Sequence, residues 1–93
     1  MSFRLLAFHY PKPEYRAEML DRLARAVEVM ANADGCLDAE YWQDEASEAL
    51  VATAKFDSRQ RCLDALTRTA ALVDIAYDER ESRPREVYHL VEP

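Results

Sequence analysis

The chain has 93 residues, a length that suits one small domain with a single hydrophobic core. Hydrophobic residues make up 49% and charged residues 32%, and there is only one glycine, so the composition is that of a globular protein rather than a disordered one. The net charge of −6 argues against nucleic acid and anionic lipid as main partners, because either would need a dense basic surface. We predict one domain over residues 1–93.

The N-terminal residues lack the long apolar stretch and the small-residue cleavage site of a signal peptide, and no segment is long enough to span a membrane. The sequence therefore predicts a cytoplasmic protein with no membrane contact. Its two cysteines, Cys36 and Cys62, have neither a metal-binding nor a redox spacing, so we expect buried thiols and no metal.

The first half of the chain predicts a strand followed by a helix. Residues 3–10 form a continuous apolar and aromatic run, typical of a strand covered on both faces. Pro13 can occupy the first helical position, and a helix ending near residues 32–34 is expected, with Gly35 as its left-handed cap. Its apolar stripe consists of Met19, Leu20, Leu23, Val27 and Met30.

The second half predicts a hairpin, a helix and a last strand. Residues 37–42 alternate in polarity, residues 43–47 are polar, and residues 48–56 form a second alternating run. Asp57 or Ser58 can cap the next helix. That helix has an apolar stripe of Cys62, Leu66, Ala70 and Val73, with Leu63 beside it. The charged residues 78–86 predict a solvated connection, and residues 87–91 a short strand.

This order of elements is the ferredoxin-like βαββαβ arrangement of the α+β class, in which two helices cover one face of a four-stranded antiparallel sheet. Both alternating sets of side chains in residues 3–10 are largely apolar, yet the helices can cover only one of them. We therefore expect a second copy to pack sheet to sheet, which makes a homodimer. RNA-binding domains of this topology use the same face, but their aromatic and basic signature is missing here.

Four features resemble the antibiotic biosynthesis monooxygenase-like domains of the dimeric α+β barrel superfamily. The first strand runs into Lys12-Pro13, and Asp34-Gly35-Cys36 stands where that family typically has Pro-Gly-Cys. A hairpin over residues 37–56 follows. Phe56-Asp57-Ser58-Arg59 then enters the second helix, where the family commonly has Trp-x-Ser. The likeness covers nearly the whole chain.

The resemblance implies a homodimeric barrel with a mostly apolar pocket between the sheet and the helices of each subunit. Relatives include cofactor-independent oxygenases of aromatic polyketides and quinols, and also haem-degrading enzymes. It thus implies a cofactor-independent monooxygenase with an aromatic small molecule as substrate. In the better-understood oxygenases an Asn late in the first strand and a Trp and a His on the second helix matter. This chain has His9 in the first strand and neither of the others, which disfavours oxygenase activity and argues against haem ligation from that helix.

His9 is the candidate base, because an imidazole titrates near neutrality. A histidine at a strand end is also commonly just hydrogen-bonded or exposed. His89 shares a face of the last strand with Val87 and Val91, and it could form one site with His9. The two could equally lie on opposite faces or at opposite ends of the sheet.

Aromatic residues could bind an aromatic substrate. Tyr10, Tyr41 and Trp42 each offer a ring surface and one hydrogen-bond donor, and Tyr77 could close the mouth of the pocket. Packing in the core or in a dimer interface is the alternative for all four.

Two functions therefore stay open. One is a cofactor-independent monooxygenase that acts on an aromatic, polyketide-like or quinol-like molecule. The other is a non-catalytic dimeric module that binds a small apolar ligand or contributes an interaction surface, which the absent second-helix residues favour. A base that points into a roomy cavity would support the enzyme.

Overall fold

The computed structural model describes residues 2–74 and 78–93. The chain has a ferredoxin-like α+β fold, as predicted, and the described residues include 3₁₀ turns at Pro13–Tyr15 and Asp78–Arg80. The strands and helices follow the order β1 (Phe3–His9), α1 (Arg16–Ala31), β2 (Cys36–Gln43), β3 (Leu50–Phe56), α2 (Arg59–Leu72) and β4 (Glu86–Val91).

The four strands form one antiparallel sheet in the order β2-β3-β1-β4. β1 is central, and its register with β3 runs from Phe3 opposite Phe56 to His9 opposite Leu50. Residues directly opposite each other in an antiparallel pair point to the same face. This register places His9 on the face that the helices cover.

The start of α1 differs from the expected one. Pro13 begins a 3₁₀ turn, in which the Tyr15 amide donates to the Lys12 carbonyl at 2.9 Å, and the α-helix begins only at Arg16. The end agrees with the prediction: α1 stops at Ala31, and Gly35 has a φ of +82°. Gly35 supplies the left-handed backbone that turns the chain from α1 into β2.

Most of the predicted α2 stripe is confirmed, because Cys62 and Val73 are buried and Leu66 packs against the core, but Ala70 is not part of it. Cys62, Ala65 and Thr69 are buried, whereas Ala70 is exposed. A polar residue can occupy this stripe because the Thr69 hydroxyl donates to the carbonyl of Ala65 at 2.8 Å, which satisfies it within the helix. The predicted cap is confirmed, since the Ser58 side chain accepts a hydrogen bond from the Arg61 amide.

The helices pack over β1, β2 and β3, so the core lies between them and the sheet. It includes Phe3, Leu5, Met30, Phe56 and Cys62, all of which are buried. The opposite side of the sheet carries no helix. We call it the open face. Charged side chains at Arg4, Asp38, Glu40, Lys55 and Glu86 surround the other members of this face, which are Leu6, Phe8, Trp42, Val51, Thr53, Tyr88 and Leu90.

The connection before β4 is not the wholly solvated segment that its charge predicted. Ser82, Arg83 and Pro84 are exposed, but Glu81 is only 6% exposed. Glu81 forms an antiparallel bridge with Pro11, so this segment extends the pairing beyond the end of β1. Two main-chain hydrogen bonds strengthen the bridge, from Lys12 to Arg80 and from Ser82 to Tyr10.

Candidate functional site

A cavity of about 210 Å³ lies between the helices and the sheet. Leu23, Val27 and Met30 line it from α1, and Leu66 lines it from α2. Its room comes from small side chains, because five alanines also line it: Ala7, Ala26, Ala39, Ala52 and Ala54. The predicted apolar pocket between sheet and helices therefore has a counterpart in the structure.

The polar residues in the lining are His9, Thr53, Thr69 and Arg85. The proton of the Thr69 hydroxyl is already donated to Ala65 within α2. Thr53 lies opposite Leu6 in the sheet register, so its side chain points to the open face. His9 and Arg85 are thus the lining residues best suited to proton transfer and to stabilising a negative charge.

His9 is only 6% exposed, and its Nδ1 lies 3.5 Å from Oε1 of Glu81. Burial lowers the pKa of the His9 imidazole, and the nearby positive charge of Arg85 lowers this pKa further. The Glu81 carboxylate opposes both effects without cancelling them. The His9 ring is therefore neutral near pH 7, which is the form that can accept a proton.

His89 lies on the same face of the sheet as His9, because it is directly opposite Leu5. Leu5 and His9 are four positions apart in β1, which places the two imidazoles roughly 13 Å apart along the strand direction. The His89 ring is exposed and lies 5.6 Å from the ring of Phe3. His89 is not among the described residues that line the cavity, and its catalytic role stays a prediction.

The predicted aromatic residues are dispersed. Tyr10 donates its phenolic hydrogen to the Glu86 carboxylate, and the Arg83 guanidinium lies 3.7 Å from its ring centre. Tyr41 and Trp42, on the edge strand β2, are 47% and 59% exposed. None of these three is among the described lining residues, whereas Tyr77 lies outside the described residues. Their substrate-binding roles stay predictions.

Sequence reasoning missed Glu81 and Arg85, which are charged residues in the described part of the chain that act on the His9 imidazole. Both belong to a run of charged residues, and nothing in that run distinguishes a buried carboxylate from a solvated one. The pairing of Glu81 with Pro11 brings it to His9 across 72 positions of the chain. A contact of that kind leaves no local periodic signal in the sequence.

Within residues 2–74 and 78–93, no three His, Cys, Asp or Glu side chains are grouped so that they could hold a metal ion. Cys62 is buried and Cys36 is half-buried, and both are free thiols. Burial raises the pKa of each thiol, so both are poor nucleophiles near neutral pH. Among the described residues, no helix has the length and apolar character needed to cross a membrane.

The sequence profile of the family described as "antibiotic biosynthesis monooxygenase" matches residues 2–76. The chain belongs to this family. The antibiotic biosynthesis monooxygenase profile thus spans most of the chain, including β1, both helices and the hairpin, which confirms the resemblance noted from the sequence. No functionally curated protein matches the chain significantly.

Solved structures share the fold of this antibiotic biosynthesis monooxygenase family member. Rv0793 from Mycobacterium tuberculosis is 21% identical with a TM-score of 0.80, and the alignment covers 100% of this chain and 96% of that one. A conserved protein from Methanosarcina mazei Go1 is 18% identical with a TM-score of 0.79, at 100% and 94% coverage. A solved antibiotic biosynthesis monooxygenase is 18% identical with a TM-score of 0.74, at 98% coverage of each chain. Identities this low establish the shared fold alone.

Proposed function

We propose that this chain is a cofactor-independent monooxygenase that oxidises a small aromatic hydroxyl compound in the cavity, with His9 as the catalytic base. The observation that carries the proposal is a buried imidazole, whose pKa burial lowers, in the wall of an otherwise largely apolar cavity. A catalytic base needs a pKa near or below the working pH and a position beside the bound molecule. Membership of the family supports the same chemistry.

The reaction needs only the substrate, dioxygen and a base. His9 takes the phenolic proton, and on a ring that carries further electron-donating groups the resulting anion is electron-rich enough to pass an electron to dioxygen. For a phenol with a free para position, one oxygen atom replaces the ring hydrogen and the other leaves as water, so the products are a para-quinone and water. The substrate loses the four electrons that dioxygen gains. For a quinol, the same change at a free ring position gives a hydroxyquinone and water. Arg85 would stabilise the phenolate through its charge.

The size of the cavity restricts the substrate. An apolar cavity of roughly 150 Å³ is known to accommodate benzene. The cavity of this chain is about 210 Å³, which suits one ring with small substituents or two fused rings. We therefore place single-ring and two-ring phenols and quinols ahead of larger polyketide-like substrates.

Oxygen consumption tests the proposal directly. An oxygen electrode would follow a panel of one-ring, two-ring and three-ring phenols and quinols, with wild-type protein and with His9→Gln. We expect uptake with the smaller compounds and at least a hundredfold lower kcat in His9→Gln, the scale that general base catalysis supplies. His89→Gln tests the predicted catalytic role of the second histidine, and Thr67→Ala, at an exposed position on α2 outside the described cavity lining, is the control. Uptake that is the same in wild type and His9→Gln would refute the assignment of His9.

A non-catalytic ligand-binding module is the second candidate function. The observation that favours it is the contribution of α2 to the cavity, which is Leu66 and Thr69 rather than the Trp and His expected from the resemblance. This function predicts that a one-ring or two-ring compound binds stoichiometrically in calorimetry while no oxygen is consumed. Binding together with oxygen uptake that depends on His9 would rule it out.

We also propose that the chain forms one domain and functions as a cytoplasmic homodimer, with the two open faces packed against each other in a barrel. Leu6 and Phe8 are half-exposed, and Trp42, Tyr88 and Leu90 are 59%, 44% and 41% exposed. These side chains form an exposed apolar patch beside the Arg4–Asp38 ion pair, and an apolar patch of this kind is uncommon on monomers. Two free thiols fit the reducing cytoplasm.

A further inference from the structure

Glu81 is a buried carboxylate, and the proposed role of His9 as a base does not by itself explain why Glu81 is buried. It is 6% exposed, although the residues that follow it, Ser82, Arg83 and Pro84, are exposed. Removing a carboxylate from water is unfavourable unless hydrogen bonds or an opposite charge compensate for the loss of hydration. The position of Glu81 therefore calls for a specific partner.

The main chain holds Glu81 beside the end of β1. Its bridge with Pro11 is flanked by hydrogen bonds from the Lys12 amide to the Arg80 carbonyl at 2.9 Å and from the Ser82 amide to the Tyr10 carbonyl at 2.8 Å. The Tyr10 amide also donates to Oε1 of Glu81 at 2.8 Å. The carboxylate is thus held by the main chain of the residue that follows His9.

The hydrogen bonds that Glu81 accepts do not require its charge. Oε1 receives the Tyr10 amide, which the neutral oxygen of a glutamine would bind equally well. Oε2 is buried and receives no hydrogen bond from the described part of the chain. The charge does act on His9, because Oε1 lies 3.5 Å from Nδ1 and attracts a proton on the imidazole.

We propose that Glu81 is a positioning residue that orients the His9 ring and holds a proton on Nδ1, so that Nε2 is the nitrogen that acts on a molecule in the cavity. This inference rests on the proposed function for its catalytic consequence, but the orientation itself is a property of the unliganded protein. The contact of 3.5 Å is longer than the roughly 2.7–3.2 Å of an N–H···O hydrogen bond, so in the unliganded protein it acts as an electrostatic attraction. It shortens when His9 becomes an imidazolium, because the two opposite charges then attract each other in a buried environment.

The proton position in unliganded wild-type protein gives the first test. With ¹⁵N-labelled histidine, the ring nitrogen shifts of His9 and His89 report which nitrogen carries the proton above the His9 titration. We expect His9 to hold its proton on Nδ1, whereas the exposed His89 shows the mixture of an unrestrained imidazole. A neutral His9 with its proton mainly on Nε2 would overturn the proposal, and this readout requires no variant to fold.

Variants give the second test. Glu81→Gln keeps an acceptor for the Tyr10 amide but removes the charge, and Glu79→Gln, at an exposed position in the adjacent 3₁₀ turn, is the matched control. We expect Glu81→Gln to lower the Nδ1-protonated fraction of neutral His9 and to lower kcat about tenfold or more, with KM within about twofold. Glu79→Gln should change neither.

The two tests separate the two claims. If Glu81→Gln has the same His9 tautomer ratio and the same kcat as wild type, the positioning role is overturned even if His9 is the base. A shifted tautomer in a protein that consumes no oxygen with any compound would leave the positioning role standing and refute the oxidation.

Discussion

Ala7 and Ala52 lie directly opposite each other in the register of β1 and β3, and both line the cavity. Two small side chains facing each other on the helix-covered side of the sheet leave space that larger residues would fill. The next pair on the same face, two residues along each strand, is His9 and Leu50. The space that the alanines provide is therefore beside the imidazole. The pair links the volume of the cavity to the proposed chemistry.

Filling that space should block binding without harming the fold. We expect Ala52→Leu to raise the free energy of unfolding by about 0.5–2 kcal/mol, because its added atoms occupy existing space. Binding of one-ring and two-ring phenols should weaken at least tenfold, as measured by titration calorimetry. Ala71→Leu, at an exposed position on α2, is the control and should bind normally. Undiminished binding to Ala52→Leu would place the ligand elsewhere.

Stability should depend on pH through His9. Burial lowers the pKa of His9 below its ordinary value of 6.5, with Glu81 and Arg85 as the charged groups acting on it. Between this lowered pKa and 6.5 the unfolded state binds a proton that the folded state does not, so stability rises with pH in that window and is lost on acidification through it.

Urea unfolding measures this effect. The free energy of unfolding of wild type, relative to that of His9→Gln, should increase as pH rises through the window just below about 6.5. The comparison cancels the contributions of groups that titrate equally in both proteins. A wild type that gains stability relative to His9→Gln on acidification would show that the pKa of His9 is raised, not lowered.

Gly35 should not tolerate a side chain. Its φ of +82° is unfavourable for other residues, and a Cβ there would lie 2.4 Å from Cδ of Arg61 and 2.5 Å from Oδ1 of Asp57. We expect Gly35→Ala to lower the free energy of unfolding by at least about 1–2 kcal/mol, the cost of the backbone conformation alone. Denaturant unfolding would measure it. A loss no larger than that of an exposed substitution such as Ala31→Gly would contradict the assigned strain.

A charge on the open face should separate the proposed dimer. Trp42→Glu places a carboxylate at a 59% exposed position opposite Val51, whereas Leu72→Glu does the same at a 61% exposed position at the end of α2. We expect sedimentation equilibrium to show a dimer for wild type and Leu72→Glu, and a monomer or a much weaker dimer for Trp42→Glu. Dimers of equal strength in all three proteins would locate the interface elsewhere.

Local patterns in the sequence were enough to predict most of the fold. Alternating polarity identified β2 and β3, and the apolar run identified β1, because side chains of a strand alternate between two faces. Asp57-Ser58 and Gly35 marked helix ends through capping preferences that act within a few residues. The sequence did not predict the 3₁₀ turn at Pro13 or the exposure of Ala70, since a helix can begin or shift its buried face at little cost. It also missed the burial of Glu81, which depends on a bridge to the distant Pro11.

The candidate site depended more on tertiary structure. The sequence by itself determined that a titratable imidazole stands near the end of β1, between apolar residues and a proline. Only the folded chain decided that this imidazole is buried in a cavity wall and that Glu81 reaches it through a bridge to Pro11. The fold also decided that His89 pairs with Leu5, four residues along β1 from His9. The reason is physical: a hydrogen-bonded ladder joins residues by register and not by distance along the chain, so no local pattern records which distant charge will stand beside His9.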